Sequence, residues 1–164
     1  KGRYDLFRKS LDGSAEEEAL LVSERDKYGA VFTAGGSSLL FTQVSPETGF
    51  EMQLLPLEGA RKPVPLRKSK INEIASPLSP DGRWLPYSSE ESGRWEVYVT
   101  SFPRAGRKWQ ISTQGGAYAY WSADGREIIY HDLGGMLHAV AVTARGDTLE
   151  VGEPRPLFAS LRKR

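Results

Sequence analysis

His131 and His138 are the two imidazoles in this chain of 164 residues, and cysteine is absent. Without thiols the chain has no thiolate metal site, disulfide or cysteine nucleophile. Serine chemistry needs a nucleophile, a base and an orienting acid, and no Gly-x-Ser-x-Gly elbow occurs. His131 follows Tyr130 at the end of an apolar run, and His138 sits in the alternating stretch Met136-Leu-His-Ala-Val-Ala-Val142. Both read as polar positions on half-exposed strands, and without a carboxylate pattern beside them they make a weak metal site. Phosphoryl transfer fares no better. Gly35-Gly36, Gly115-Gly116 and Gly134-Gly135 lack the spacing of a phosphate-cradling loop, and no His-Arg-Asp or Asp-Phe-Gly motif is present. A Ser-x-x-Lys match at Ser160 to Lys163 reads as chance. Asp81-Gly82 and Asp124-Gly125 could offer carboxylates to calcium, but the dense oxygen spacing of a calcium loop is missing. The expectation is a chain with no catalytic residue, no metal ligand and no cofactor, in which Asp81, Gly82, Asp124 and Gly125 are structural turn residues.

A repeat positions these residues. Three segments share one turn-plus-strand unit: Phe32 to Thr42 (FTAGGSSLLFT), Leu78 to Ser88 (LSPDGRWLPYS) and Trp121 to His131 (WSADGREIIYH). Their anchor glycines Gly36, Gly82 and Gly125 lie 46 and 43 residues apart, each followed five positions later by an aromatic: Phe41, Tyr87 and Tyr130. A second unit appears four times, as YDLFRKSL from Tyr4, FEMQLLPL from Phe50, WEVYVTSF from Trp95 and MLHAVAVT from Met136. A third closes each cycle around Leu21, Leu66, Ile111 and Leu157. In Asp-Gly, Asp can bond nearby amides and Gly accepts positive φ, which suits a tight reversal. Apolar runs bounded by such turns read as short strands, and four strands in about 43 residues make one propeller blade.

The fold class expected is therefore all-β, a β-propeller fragment of about 3.5 four-stranded antiparallel blades. Residues 1–26 form the outer half of a first blade, 27–71, 72–116 and 117–160 form whole blades, and 161–164 a basic tail. The acidic run Glu16-Glu17-Glu18 reads as a loop between strands, and Arg67-Lys68-Ser69-Lys70 as a solvated loop. Pro86 falls inside a strand and should cost a ladder hydrogen bond unless a bulge absorbs it. The second blade has Thr33-Ala34-Gly35-Gly36 where its sisters carry Asp-Gly, which leaves its turn uncertain. Beginning as KGRYDLFRKSL, the chain reads as the middle of a longer protein.

Composition narrows the partners. Lys plus Arg is 22 and Asp plus Glu is 21, a net charge of +1, so no nucleic acid is expected. No run reaches the ~20 apolar residues of a membrane helix, so no membrane contact by this segment is expected.

Ser79-Pro80-Asp81-Gly82-Arg83-Trp84, Trp95-Glu96-Val97-Tyr98-Val99, Trp109-Gln110-Ile111-Ser112-Thr113, Gly115-Gly116 and Trp121-Ser122-Ala123-Asp124-Gly125 together resemble the WD-like repeat of the TolB family of bacterial β-propellers. Their wording also looks like the propeller region fused to bacterial membrane serine/threonine kinases. That resemblance implies an extracytoplasmic location, with any kinase activity in another part of the parent protein.

Most aromatics sit at repeated positions and read as inter-blade core. Tyr118 and Tyr120 are harder to explain. They flank the inner strand Ala117-Tyr118-Ala119-Tyr120-Trp121, whose alternate residues face the channel or the next blade, and so they are the candidate ligand or partner face. The leading functional expectation is a non-catalytic interaction or sensor module for a protein or small ligand. Two alternatives are the gating propeller of a prolyl-oligopeptidase-like hydrolase and a half-propeller that self-associates through open blade edges.

Overall fold

The computed structural model describes residues 3–159. Four antiparallel sheets follow one another along the chain. A two-stranded sheet pairs β1 (Leu6–Arg8) with β2 (Glu18–Leu21). The next runs β3 (Lys27–Phe32), β4 (Ser38–Ser45), β5 (Gly49–Pro56), β6 (Val64–Pro65). The third runs β7 (Glu73–Ala75), β8 (Trp84–Ser89), β9 (Glu96–Ser101), β10 (Lys108–Gln110). The fourth holds β11 (Ala117–Trp121), β12 (Glu127–His131), β13 (Met136–Arg145), β14 (Thr148–Val151) and β15 (Arg155–Ala159). This is a partial β-propeller.

The fourth sheet departs from the four-strand expectation. β13 is ten residues long and serves three partners: β12, then β15 along its first half and β14 along its overhanging second half. Gly146, at φ +60°, turns that extra hairpin. The basic tail 161–164 and Ser160 lie outside the described residues.

Small sheets cannot bury enough apolar surface alone, so they share it with their neighbours. Each junction has its own buried cluster. Leu6 and Leu20 pack with Leu39, Phe41, Leu55 and Leu57 between the first two sheets. Leu40 and Met52 meet Ala75, Leu85, Tyr87 and Tyr98 at the second junction. Val97, Val99 and Ile111 meet Ile128, Tyr130 and Val140 at the third. The first sheet is further tied to the second by a buried ion pair, Lys27 Nζ to Asp5 Oδ1 at 2.5 Å. Among the basic-run residues, Arg67 is not solvated as expected: it pairs with buried Glu73 at 3.1 Å and lies 5.0 Å over the Tyr87 ring.

The repeated turns share one hydrogen-bond frame. Gly36, Gly82 and Gly125 each donate a backbone N–H to the carbonyl three residues earlier, at 2.9, 2.8 and 2.9 Å. Thr33-Ala34-Gly35-Gly36 makes this reversal without its Asp, because both glycines adopt positive φ and Thr33 Oγ1 donates to Ser38 O at 3.2 Å. In the other two, Asp81 Oδ1 accepts Ser79 Oγ–H and the Arg83 N–H, and Asp124 Oδ1 accepts Ser122 Oγ–H and the Arg126 N–H. Pro86 is accommodated with no bulge. Ser76 N–H still donates to Pro86 O at 3.1 Å just past the end of β7, so one reciprocal bond is forfeited where that ladder stops.

Gly82 and Gly125 are not equivalent. Both have positive φ, +71° and +69°, but a Cβ on Gly82 would lie 2.6 Å from Ala34 Cβ in the neighbouring sheet. At Gly125 the closest atom would be Pro80 Cδ at an ordinary 3.6 Å. Gly125→Ala should therefore cost about 1–2 kcal/mol for the left-handed backbone alone. Gly82→Ala adds overpacking of roughly 1–3 kcal/mol. Urea midpoints of the two variants check the order; equal losses would show that the Ala34 contact relaxes freely.

Candidate functional site

Tyr118 and Tyr120 lie on β11, an edge strand of its sheet. They are 46% and 52% exposed, while Ala119 between them is fully buried. The β11–β12 register slips by one residue between Ala117 and Tyr120, which is a β-bulge. Tyr118 takes up the extra residue at φ +55°. The same slip occurs in β3 between Tyr28 and Val31, and there the left-handed position is Gly29 at φ +60°. Glycine holds this conformation without strain, whereas a tyrosine pays a steric cost of about 1–2 kcal/mol. Such strain persists where surrounding structure imposes it, and it concentrates at ligand clamps and switch regions. Here the Tyr118 N–H donates to Ser88 Oγ of the preceding sheet at 3.2 Å.

A cleft of about 310 Å³ opens at the same end of the sheet, where Ala117 pairs with His131. Thr113 to Gly115 form one wall, and Tyr130, Asp132 and His138 another. The histidine expectation needs correction at this point. His138 does have a carboxylate beside it: its Nε2 is 3.1 Å from Asp132 Oδ2. No local motif announces the pair, because the partners sit six residues apart across the tight β12–β13 turn. The His138 ring stacks on Tyr130 at 5.3 Å with a 12° interplanar angle. Its Nδ1 is buried without a hydrogen-bond partner among the described residues. Burial works against ionisation of Asp132, yet the Met136 N–H, His138 and the Gly134 N–H together hold its carboxyl below the ordinary range. Burial, with Glu96 and Asp132 nearby, pushes the Tyr130 phenol up to about 12. This arrangement can accept and donate hydrogen bonds to a small polar molecule. Among the described residues, no group of three His, Asp or Glu side chains could hold a metal ion.

One wall of the cleft is braced by a residue the sequence reading passed over. Glu96 is almost wholly buried, and its carboxylate accepts from Ser112 Oγ, from the Gly115 N–H at 2.9 Å and from Arg94 Nε at 2.7 Å. Ser112 Oγ in turn accepts the Val97 N–H at 2.8 Å. The signal was available: an acid follows the aromatic in Tyr4-Asp5, Phe50-Glu51 and Trp95-Glu96. Asp5 has a comparable role, accepting the Ser23 N–H at 3.2 Å as well as Lys27.

The structural turn residues lie elsewhere. Asp81 and Asp124 meet at a crevice of about 150 Å³ that Trp84 and Trp121 also line. Trp84, whose N–H donates to Ser79 Oγ, starts β8, whereas Ser88, the Tyr118 contact, lies near its far end, so the two regions occupy opposite ends of the strands.

The chain matches no protein-family model and no curated protein. Its shape does match solved structures. TolB from Acinetobacter baumannii is 20% identical with a TM-score of 0.62, over 87% of this chain and 36% of that one. A putative 6-phosphogluconolactonase from Bacteroides uniformis is 16% identical with a TM-score of 0.60, over 97% and 53%. A puromycin-hydrolyzing peptidase from Mycobacterium tuberculosis is 19% identical with a TM-score of 0.60, over 85% and 24%. The chain spans between about a quarter and half the length of these proteins. At such identities the likeness is one of fold: a TolB-like β-propeller. It also corrects one expectation. No catalysis is expected of this chain from its sequence, and any kinase activity is placed in another part of the parent protein, because no triad or phosphate loop appears. Proteins named as a lactonase and a peptidase share this architecture, so a propeller that lacks those motifs is not thereby set apart from enzymes. The physical reason is that a turn can bring two groups together without a recognisable motif, as the β12–β13 turn does with Asp132 and His138.

Proposed function

We propose that this chain is a binding module of the TolB-like propeller type that presents Tyr118, Tyr120 and the adjoining Tyr130–His138 cleft to a protein or small-ligand partner. The carrying observation is Tyr118, an exposed tyrosine held at φ +55° where the corresponding bulge of β3 has a glycine. The fully buried side chain of this strand is Ala119, whereas Tyr118 keeps about half of its surface exposed. Two tyrosines give a rigid, amphipathic contact surface at low entropic cost, and the cleft beside them adds polar groups that fix orientation. The extracytoplasmic setting implied by the sequence resemblance belongs to this reading. Among the described residues, no helix is long and apolar enough to cross a membrane.

The test is a chemical-shift perturbation screen of isotope-labelled chain against small polar molecules and peptides. Binders are expected to move the resonances of Tyr118, Tyr120 and His138. The double replacement Tyr118→Ala/Tyr120→Ala should weaken them at least tenfold while the melting temperature stays nearly unchanged. Perturbations confined to other surfaces would overturn the proposal. A large fall in melting temperature would instead show that the two tyrosines are core.

A further inference from the structure

Arg83, Arg104 and Arg107 converge on a groove of about 490 Å³ at the opposite end of β8 from Tyr118. Its position makes it independent of the site proposed above. Trp84 and Trp109 form its floor, meeting edge to face at 5.4 Å and 84°. The Arg83 guanidinium lies 5.6 Å over the Trp84 ring and that of Arg107 lies 5.4 Å over Trp109. The groove's one acid is Asp147, which is fully exposed and reaches Arg83 only at 3.4 Å. Arg83 also donates to Gly146 O at 2.6 Å, which uses part of its fork. Among the described residues, Arg104 and Arg107 form no ion pair. Trp84 is only 3% exposed, and its buried Nε1–H has no acceptor among the described residues.

Most arginines elsewhere among the described residues are matched to acids, among them Arg94 to Glu96, Arg145 to Glu150 and Arg155 to Glu127. Here donors outnumber acceptors, although the chain as a whole is almost neutral. Three guanidiniums held close together repel one another, and the indole faces offset only part of that, at about 0.5–1 kcal/mol per exposed cation–π contact. What completes such a surface is a set of carboxylates, which the planar guanidinium fork grips with two parallel N–H bonds. A small anion would satisfy one arginine and leave the others unmatched. An acidic peptide supplies several carboxylates at once and lays its methylenes against the partly exposed Trp109. Nucleic acid is a poor match, because three cations on a near-neutral chain fall short of the basic surface it needs.

We propose that this groove binds an acidic peptide segment, with Arg104 and Arg107 taking its carboxylates and the two tryptophans forming the floor. Fluorescence anisotropy of a dye-labelled hexaglutamate peptide, titrated with the chain of residues 1–164, tests it. Saturable binding is expected that weakens as salt rises. Arg104→Glu/Arg107→Glu should reduce it at least tenfold, and Arg104→Gln/Arg107→Gln should reduce it less. Both arginines are exposed, so the circular dichroism and melting curves should stay those of the parent chain. Lys62→Glu, an exposed charge reversal outside the groove, should leave affinity within twofold. The proposal is overturned by an absence of saturable binding, or by wild-type affinity in the folded charge-reversal variant. An equal loss in Lys62→Glu would overturn it too, by showing diffuse attraction. So would inorganic phosphate displacing the probe as effectively as unlabelled hexaglutamate, since the groove would then be a simple anion site.

Discussion

Glu96→Ala should lower the stability of this chain by about 3–5 kcal/mol, the range expected when one member of a buried charged network is removed. The carboxylate is almost wholly buried, so its hydrogen bonds are made out of water, where a lost partner is hard to replace. Truncation leaves Ser112 Oγ and the Gly115 N–H without their acceptor, and it frees Arg94, which also donates to Thr113 O at 2.5 Å. Ser112, Gly115 and Thr113, the Arg94 acceptor, all lie on the segment that leads from β10 into β11. The loss should therefore be felt first in the cleft wall from Thr113 to Gly115. Glu96→Gln keeps the shape and one acceptor, and its amide can donate to Ser112 Oγ if that hydroxyl turns, so it should lose much less. Urea denaturation of the three proteins reads the series. Equal midpoints for Glu96→Ala and the parent chain would mean that water or Arg94 takes over the vacated bonds.

Phe41→Ala is expected to cost about 3–5 kcal/mol as well, for a different reason. The ring is fully buried in the cluster that joins the two-stranded first sheet to the second. A pair of short strands is marginal by itself, so β1 and β2 depend on this apolar junction. The variant should accordingly show a local signature beyond its global loss. Amide hydrogen exchange should rise across Leu6–Arg8 and Glu18–Leu21 while the fourth sheet keeps its protection. The ion pairs Lys27–Asp5 and Arg61–Glu18 would then remain across the junction. Uniform loss of protection in all four sheets would refute this picture and show that the sheets unfold as one unit.

How much of this is written in the chain can be judged from particular residues. The three glycine turns are legible because each is local: residues within five positions make every bond in the frame, and Gly supplies the φ that the frame requires. The aromatic five positions further on is legible for the same reason, since strand alternation carries it to the buried face. Even so, a local reading faltered at Thr33-Ala34-Gly35-Gly36, where two positive-φ glycines replace an aspartate cap with no change in the backbone bonds. It faltered again at β13, because nothing in its alternation says that the strand continues past its blade to form a second hairpin.

The functional features were less legible because they depend on pairs that sequence distance does not rank. Tyr118 and Tyr120 stood out as unexplained aromatics, but their exposure and the bulge beneath them belong to the pairing of β11 with β12. Arg104 and Arg107 look like any charged turn until β8 brings Arg83 and Trp84 beside them. His138 looks bland until the β12–β13 turn folds Asp132 back against it.

Taken alone, the sequence determined the period, the turn chemistry and hence the TolB-like propeller architecture, since each of these follows from interactions within a few residues. The tertiary structure decided which charges lose their water, which donors are left in surplus and which tyrosine carries the strain. Those outcomes depend on distance and burial between sheets, and residues in matching turns, such as Gly82 and Gly125, part company only because the neighbouring sheet packs more closely against Gly82.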